Sequence, residues 1–249
     1  SPNFLPLGVQ LELAICDNVI YRVFYSSNPV PALKIENAER NSSMKYDGIL
    51  FDLDGTLWNA TEPIAVSWAI ALKDQPDIER APSTEELEKV MGMTSEKLMA
   101  QLFPYLSYER GQELFQHCCE VEMVYLREHG GTLYPGLEHT LEKLSARHPL
   151  CIVSNCNNGY IETFLDAHSM RKYFLDWECI GRTGLQKWEN IRLVVERNEF
   201  QNPVYVGDTE LDYDSAERAG LPFIHAAYGF GQVPEAPQIS SISELLEIV

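Results

Sequence analysis

Apolar positions along the chain fall into two alternating rhythms. Short, nearly continuous apolar runs at Ile49–Phe51, Leu150–Val153, Trp177–Ile180, Val204–Val206 and Phe223–His225 have the length and β-branched content of buried strands. Between the later ones, apolar residues recur every three or four positions over Leu137–Arg147, Tyr160–Ala167, Trp188–Arg197 and Leu211–Ala219, the period of amphipathic helices. Strand and helix taking turns predicts a doubly wound α/β core around a parallel sheet. The stretch from Leu57 to Tyr134 breaks the alternation, with helical periods at Pro63–Leu72, Thr84–Val90, Ser95–Leu102 and Tyr108 to about Glu128 and few strand signals. Ser83-Thr84-Glu85-Glu86 reads as a capping box with an acidic first turn. An all-helical insertion therefore follows the first core strand directly.

The ends of the predicted strands carry the chemistry. Ile49-Leu50-Phe51 delivers Asp52 to the carboxyl end of a strand, where open α/β sheets bind ligands and where a nucleophile belongs. Asp52 and Asp54 are two residues apart, with Leu53 turned into the core, so an extended exit from the strand faces both acids into one cleft. Gly55 permits a turn there, and Thr56 offers a hydroxyl and an N–H beside an incoming phosphate. Far downstream, Val204-Tyr205-Val206-Gly207 ends at Asp208, with Asp212 four residues on. Carboxylates gathered at neighbouring strand ends repel one another unless a cation neutralises them, and Mg²⁺, held by a few carboxylates plus substrate phosphate, fits best. An EF-hand fails here, because the sixth loop position is Tyr213 and the twelfth Ala219.

Two weaker elements gain meaning from their order. Ser154-Asn155 follows a strand and precedes a helix beginning near Gly159, a hydroxyl and an amide suited to phosphate oxygens although also ordinary loop residues. Lys187 opens an amphipathic helix and, alone, reads as a surface lysine. The succession of DxDGT, Ser-Asn, Lys and GDxxxD resembles the four motifs of the haloacid dehalogenase superfamily of phosphatases, from Lys45 to about Tyr228. Tyr134–Leu144 and Ala219–Gly231 are similar to segments of its phosphoglycolate-phosphatase-like group, although Trp188 stands where proline often follows the motif lysine.

That resemblance implies a Rossmannoid core over 44–57 and 134–249, with a small C1-type helical cap over 58–133. It implies Mg²⁺-dependent hydrolysis of a small phosphorylated metabolite in two steps: Asp52 as nucleophile, giving an aspartyl-phosphate, and Asp54 as general acid and base. Mg²⁺ would be held by Asp52, the Asp54 main-chain carbonyl, Asp208 and, directly or through a neighbour, Asp212; Thr56, Ser154, Asn155 and Lys187 would take the phosphate oxygens. Asp54 argues against dehalogenase and phosphonatase chemistry. A sugar phosphomutase of the same superfamily would use the same two aspartates, and a phospho-ligand binding protein without turnover is the reading from another class.

Composition narrows the partners. With 249 residues, 45% of them apolar, the chain can hold one α/β core and a smaller domain. A formal charge of −18 and a pI of about 4.7 oppose nucleic acid and anionic membrane, so phosphate must be attracted locally. No stretch reaches the roughly 20 apolar residues of a membrane span. Cys16, Cys118, Cys119, Cys151, Cys156 and Cys179 show no CxxC spacing and read as reduced thiols of a cytoplasmic protein. The histidines show no metal-binding spacing, and oligomeric state has no signature. Residues 1–43 stand apart: a β-like run over Val19–Tyr25, proline punctuation around Asn28–Pro31, and Met44 resembling a natural start leave an appended segment and an accessory β element as the two expectations.

Overall fold

The computed structural model describes residues 45–249 and the strands at 9–16 and 19–26, and the chain divides into two units, Ser1–Ser43 and Met44–Val249. In the first unit, β1 (Val9–Cys16) and β2 (Val19–Ser26) pair antiparallel, from Val9 opposite Ser26 to Cys16 opposite Val19. The β-like run expected over Val19–Tyr25 lies within β2; its partner strand was not expected, and the proline-punctuated segment lies outside the described residues.

The second unit is built on β3 (Ile49–Phe51), β6 (Leu150–Ser154), β7 (Asp176–Cys179), β8 (Val204–Gly207), β9 (Phe223–Ala226) and β10 (Gln238–Ile239), hydrogen-bonded in the order β10-β9-β8-β3-β6-β7 with every pair parallel. The first core strand is thus central, and the chain winds outward from it in both directions, which makes its carboxyl end the topological switch point. Strand period sorts side chains to two cores. Ile49, Phe51, Leu150, Ile152, Val204 and Val206 face one side, where α5 (Leu137–Ser145), α6 (Tyr160–Ala167) and α10 (Leu245–Ile248) contribute Leu141, Phe164 and Leu245. Leu50, Cys151, Val153 and Tyr205 face the other, against Ile191 and Val194 of α8 (Lys187–Arg197) and Ala216 of α9 (Glu210–Ala219). Both faces are covered, so the central strands are apolar throughout rather than alternating.

Four helices form the insertion: α1 (Thr61–Leu72), α2 (Thr84–Glu88), α3 (Ser95–Leu102) and α4 (Tyr108–His129). The capping box at Ser83 is present, with Ser83 N–H donating to Glu86 Oε2 at 2.9 Å and Glu86 N–H to Ser83 Oγ at 3.3 Å. The insertion leaves and re-enters the core through a ribbon that the helical reading of this stretch missed. In it, β4 (Trp58–Asn59) pairs antiparallel with β5 (Thr132–Leu133), two residues each and too short to show a period. The α4 helix packs on α1 and on α6 of the core. Several expected boundaries shift by one or two residues, and at one the element type changes: β7 ends at Cys179, and Ile180 opens α7 (Ile180–Thr183), whose Thr183 Oγ1 donates to the Cys179 carbonyl at 3.2 Å.

Candidate active site

Register dictates what meets at the switch point. Phe51 is paired with Ile152 on one side and Val206 on the other, so the next residues out are Asp52, Val153 and Gly207, and one step further stand Ser154 and Asp208. The Asp52 N–H donates to the Val206 carbonyl at 2.8 Å, which extends the ladder to the acid itself.

The chain then folds back on itself, Leu57 N–H donating to Leu53 O at 2.9 Å and Gly55 N–H to Trp58 O at 2.9 Å. Gly55 has φ +85° and a side chain on it would sit 2.1 Å from Asp208 Oδ2, so both its backbone conformation and its proximity to the acid require glycine.

Asp52, Asp208 and Asp212 can each direct a carboxylate oxygen to within 4.8 Å of the others. Lys187, at the first position of α8 and only 5% exposed, donates to Asp52 Oδ1 at 2.6 Å and also to Asp212 Oδ1. The other Asp212 oxygen caps α9, accepting from Thr209 Oγ1 at 2.7 Å, Thr209 N–H at 3.0 Å and Asp208 N–H at 3.2 Å. Asp208 is held by Phe230 N–H on Oδ2 at 2.8 Å, and His225 Nε2 donates to its main-chain carbonyl at 3.2 Å.

Three buried carboxylates around one lysine leave negative charge uncompensated. Burial, only partly countered by Lys187, raises the Asp52 carboxyl to about 6, and burial together with Asp212 and Asp52 raises Asp208 well above the ordinary carboxylate range. An all-oxygen donor set with an unmet demand for positive charge fits a hard divalent cation.

Asp54 has a different setting. Its Oδ1 accepts from Trp58 Nε1 and from Tyr160 OH, both at 2.9 Å. Burial first, then the neighbouring Asp52 charge, raise its carboxyl to about 8, against the opposing pull of those two donors. Adjacent carboxyls so separated suit a nucleophile and a proton donor.

The remaining expected residues divide. Ser154 is buried beside Asp52, and Asn155 lines the cleft with its Nδ2 donating to the Gly92 carbonyl of the insertion at 3.2 Å. Thr56 is fully buried, its hydroxyl donating to Asp208 Oδ1 at 3.4 Å and its N–H directed to Leu53 O. Asp52 and Asp54 line one cavity, as expected, and Asp52 is 4% exposed because β6, β8 and Lys187 close around it. Trp58, Tyr160, His225 and the Phe230 N–H escaped the sequence reading; Tyr160, first residue of the helix after Ser154-Asn155, carried the best available signal.

Facing Asp52, Asp54, Ser154 and Asn155 is a cavity whose far wall comes from the insertion, including Trp68, Leu87, Val90, Met91, Phe115 and Glu122. Glu122 lies on the buried stripe of α4 with Leu114, Cys118, Cys119 and Leu126, and its Oε2 accepts from Trp68 Nε1 at 2.7 Å.

Fold and site together define an α/β enzyme that works at the carboxyl ends of a parallel sheet with an acidic, cation-seeking centre. The model of the haloacid dehalogenase-like hydrolases matches residues 49–226, and the chain belongs to that family. It is 28% identical over 212 residues to a phosphoglycolate phosphatase of Aquifex aeolicus, covering 81% of this chain and 95% of the relative. It is 27% identical over 206 residues to a 5'-nucleotidase of Pseudomonas aeruginosa, covering 79% and 89% respectively. Among solved structures, a haloacid dehalogenase-like family hydrolase from Streptococcus pneumoniae superposes with TM-score 0.69 at 21% identity, over 82% of this chain and 98% of the other, a likeness of fold. Among the described residues, no helix is long and apolar enough to cross a membrane.

Proposed function

We propose that the protein is a Mg²⁺-dependent phosphatase of small phosphate monoesters, phosphoglycolate-phosphatase-like in its chemistry. The observation that carries this reading is the pair of carboxyls at the switch point: Asp52 held by Lys187, and Asp54 held by Trp58 and Tyr160 and raised to about 8. An Asp52 oxygen attacks phosphorus in line, the phosphorus–alcohol bond breaks, and the departing oxygen takes the proton of Asp54. Asp54, now a carboxylate, then takes a proton from water as that water attacks the aspartyl-phosphate, releasing inorganic phosphate and restoring Asp52. Lys187 keeps Asp52 oriented and ionised, while Ser154, the second amide hydrogen of Asn155 and Lys187 itself serve the phosphate oxygens. Mg²⁺ would be held by Asp52, Asp208 and Asp212 with the Asp54 main-chain carbonyl, and would supply positive charge against the phosphate oxygens. Thr56, Phe230 N–H and His225 keep Asp208 in place.

In this reading 44–57 and 134–249 form the catalytic core and 58–133 a cap that shields the cleft from water. Residues 1–43 are an appended segment, so a chain beginning at Met44 keeps both kcat/KM and melting temperature. Turnover of a panel of small esters with Mg²⁺, its loss in EDTA and its recovery on adding Mg²⁺ but not Ca²⁺ test the proposal. Undiminished activity in metal-free buffer would contradict the cation site, and failure to hydrolyse any ester would contradict the phosphatase itself.

A further inference from the structure

The cavity between sheet end and insertion has a one-sided chemistry. None of the described residues lining it is lysine, arginine or histidine. Its side-chain N–H and O–H donors are largely engaged within the protein: Trp68 Nε1 on Glu122, Tyr160 OH on Asp54, Asn157 Nδ2 on Cys119 Sγ and Asn155 Nδ2 on Gly92 O. What the insertion side presents is electron-rich: the Glu122 carboxyl, the rings of Trp68 and Phe115, and the thioethers of Met91 and Met93. A carboxylate on the substrate's alcohol half would meet no cation there, and would meet Glu122.

We propose that the substrate's alcohol half carries a positive charge, the preferred esters being short phosphorylated amino alcohols whose ammonium group pairs with Glu122 beside the rings of Trp68 and Phe115, which pack edge to face with centroids 6.3 Å apart. This rests on the phosphatase reading and narrows its substrate class away from phosphoglycolate. Three physical terms act together. Glu122 is 7% exposed, and burial raises its carboxyl to about 7, so an arriving ammonium stabilises the ionised form that burial disfavours. Aromatic faces attract a desolvated cation. The overall charge of −18 opposes every phosphate ester, but it opposes an amino ester, whose ammonium cancels one phosphate charge, less than the dianionic and trianionic esters of hydroxy acids.

The test compares kcat/KM of the full chain with Mg²⁺ on 2-aminoethyl phosphate, 2-phosphoglycolate and glycerol 3-phosphate, with p-nitrophenyl phosphate as a general phosphatase substrate. The amino ester is expected to exceed both others by about tenfold or more, the worth of one charge-assisted hydrogen bond. Glu122→Gln, which keeps the acceptor for Trp68, is expected to cut the preference for the amino ester over 2-phosphoglycolate about tenfold, chiefly through KM. Equal or better turnover of 2-phosphoglycolate or glycerol 3-phosphate would overturn the inference, as would a Glu122→Gln preference equal to wild type. If that variant does not fold, inhibition of the wild type decides: 2-aminoethanol competing more strongly than glycolate supports the inference, and the reverse overturns it. If no ester is hydrolysed, p-nitrophenyl phosphate included, the phosphatase reading fails separately. Calorimetric binding of 2-aminoethyl phosphate against 2-phosphoglycolate then still decides which alcohol half the cavity takes.

Discussion

The two walls of the cleft are built on opposite principles. At the sheet end, the acids have fixed partners: Asp52 and Asp212 share Lys187, Asp208 takes the Phe230 N–H, and Asp54 takes Trp58 and Tyr160. Across from it, the wall carried by 58–133 is apolar, with Glu122 as its buried acid. The first wall is pre-organised for one kind of charge movement, whatever alcohol is attached. In the proposed reaction the second would touch only the variable half of the substrate, and since few of its groups are polar its selectivity would rest on few of them. If the proposed function holds, reaction and choice of substrate should be separable by mutation.

Breaking the first wall should cost most. Asp52→Asn is expected to lower kcat by about a thousandfold or more on every ester alike, with circular dichroism unchanged; a tenth of wild-type kcat remaining would remove Asp52 from the nucleophile's role. Lys187→Ala should follow. It leaves Asp52 and Asp212 buried without their cation, a change worth about 3–5 kcal/mol of stability, to be read as a lower urea midpoint together with lost turnover. Wild-type stability in that variant would mean that the ion pair carries no net weight.

The pH profile sharpens the same contrast. Asp52 must be ionised, so kcat/KM should rise with pH up to an apparent pKa at or below about 6, bound cation moving that limb lower; Asp54 must carry its proton, so activity should fall above about 8. A flat profile across both limbs would deny Asp54 the role of acid. Smallest of all, Phe115→Leu on the second wall should change the ratio of kcat/KM between two esters by up to about tenfold, with the loss shared unequally between them. Equal losses on all esters would show that the wall supports the fold and does not choose.

The same division governs what the sequence made legible. Asp52, Asp54, Asp208 and Asp212 sit within a few residues of strand ends, so local pattern and register alone bring them together. Lys187 was readable only from its order among the motifs, since nothing local shows that the first residue of an amphipathic helix turns inward to two acids. The four inserted helices were legible from their period, whereas the β4–β5 ribbon that anchors them was not, because two residues per strand carry no period. Glu122 was the least legible. It occupies a position on the stripe formed by Cys118 and Leu126, a charged residue where the period calls for an apolar one, and that mismatch was its signal.

The nucleophile is the claim on which the rest depends. Acid-quenching the enzyme during turnover of its best ester, followed by mass spectrometry of the peptide that spans Ile49–Trp58, tests it most directly. The expected result is phosphate on Asp52 that disappears when substrate is exhausted and is absent from Asp52→Asn; steady hydrolysis with no phosphorylated enzyme, or phosphate on another residue, would contradict it.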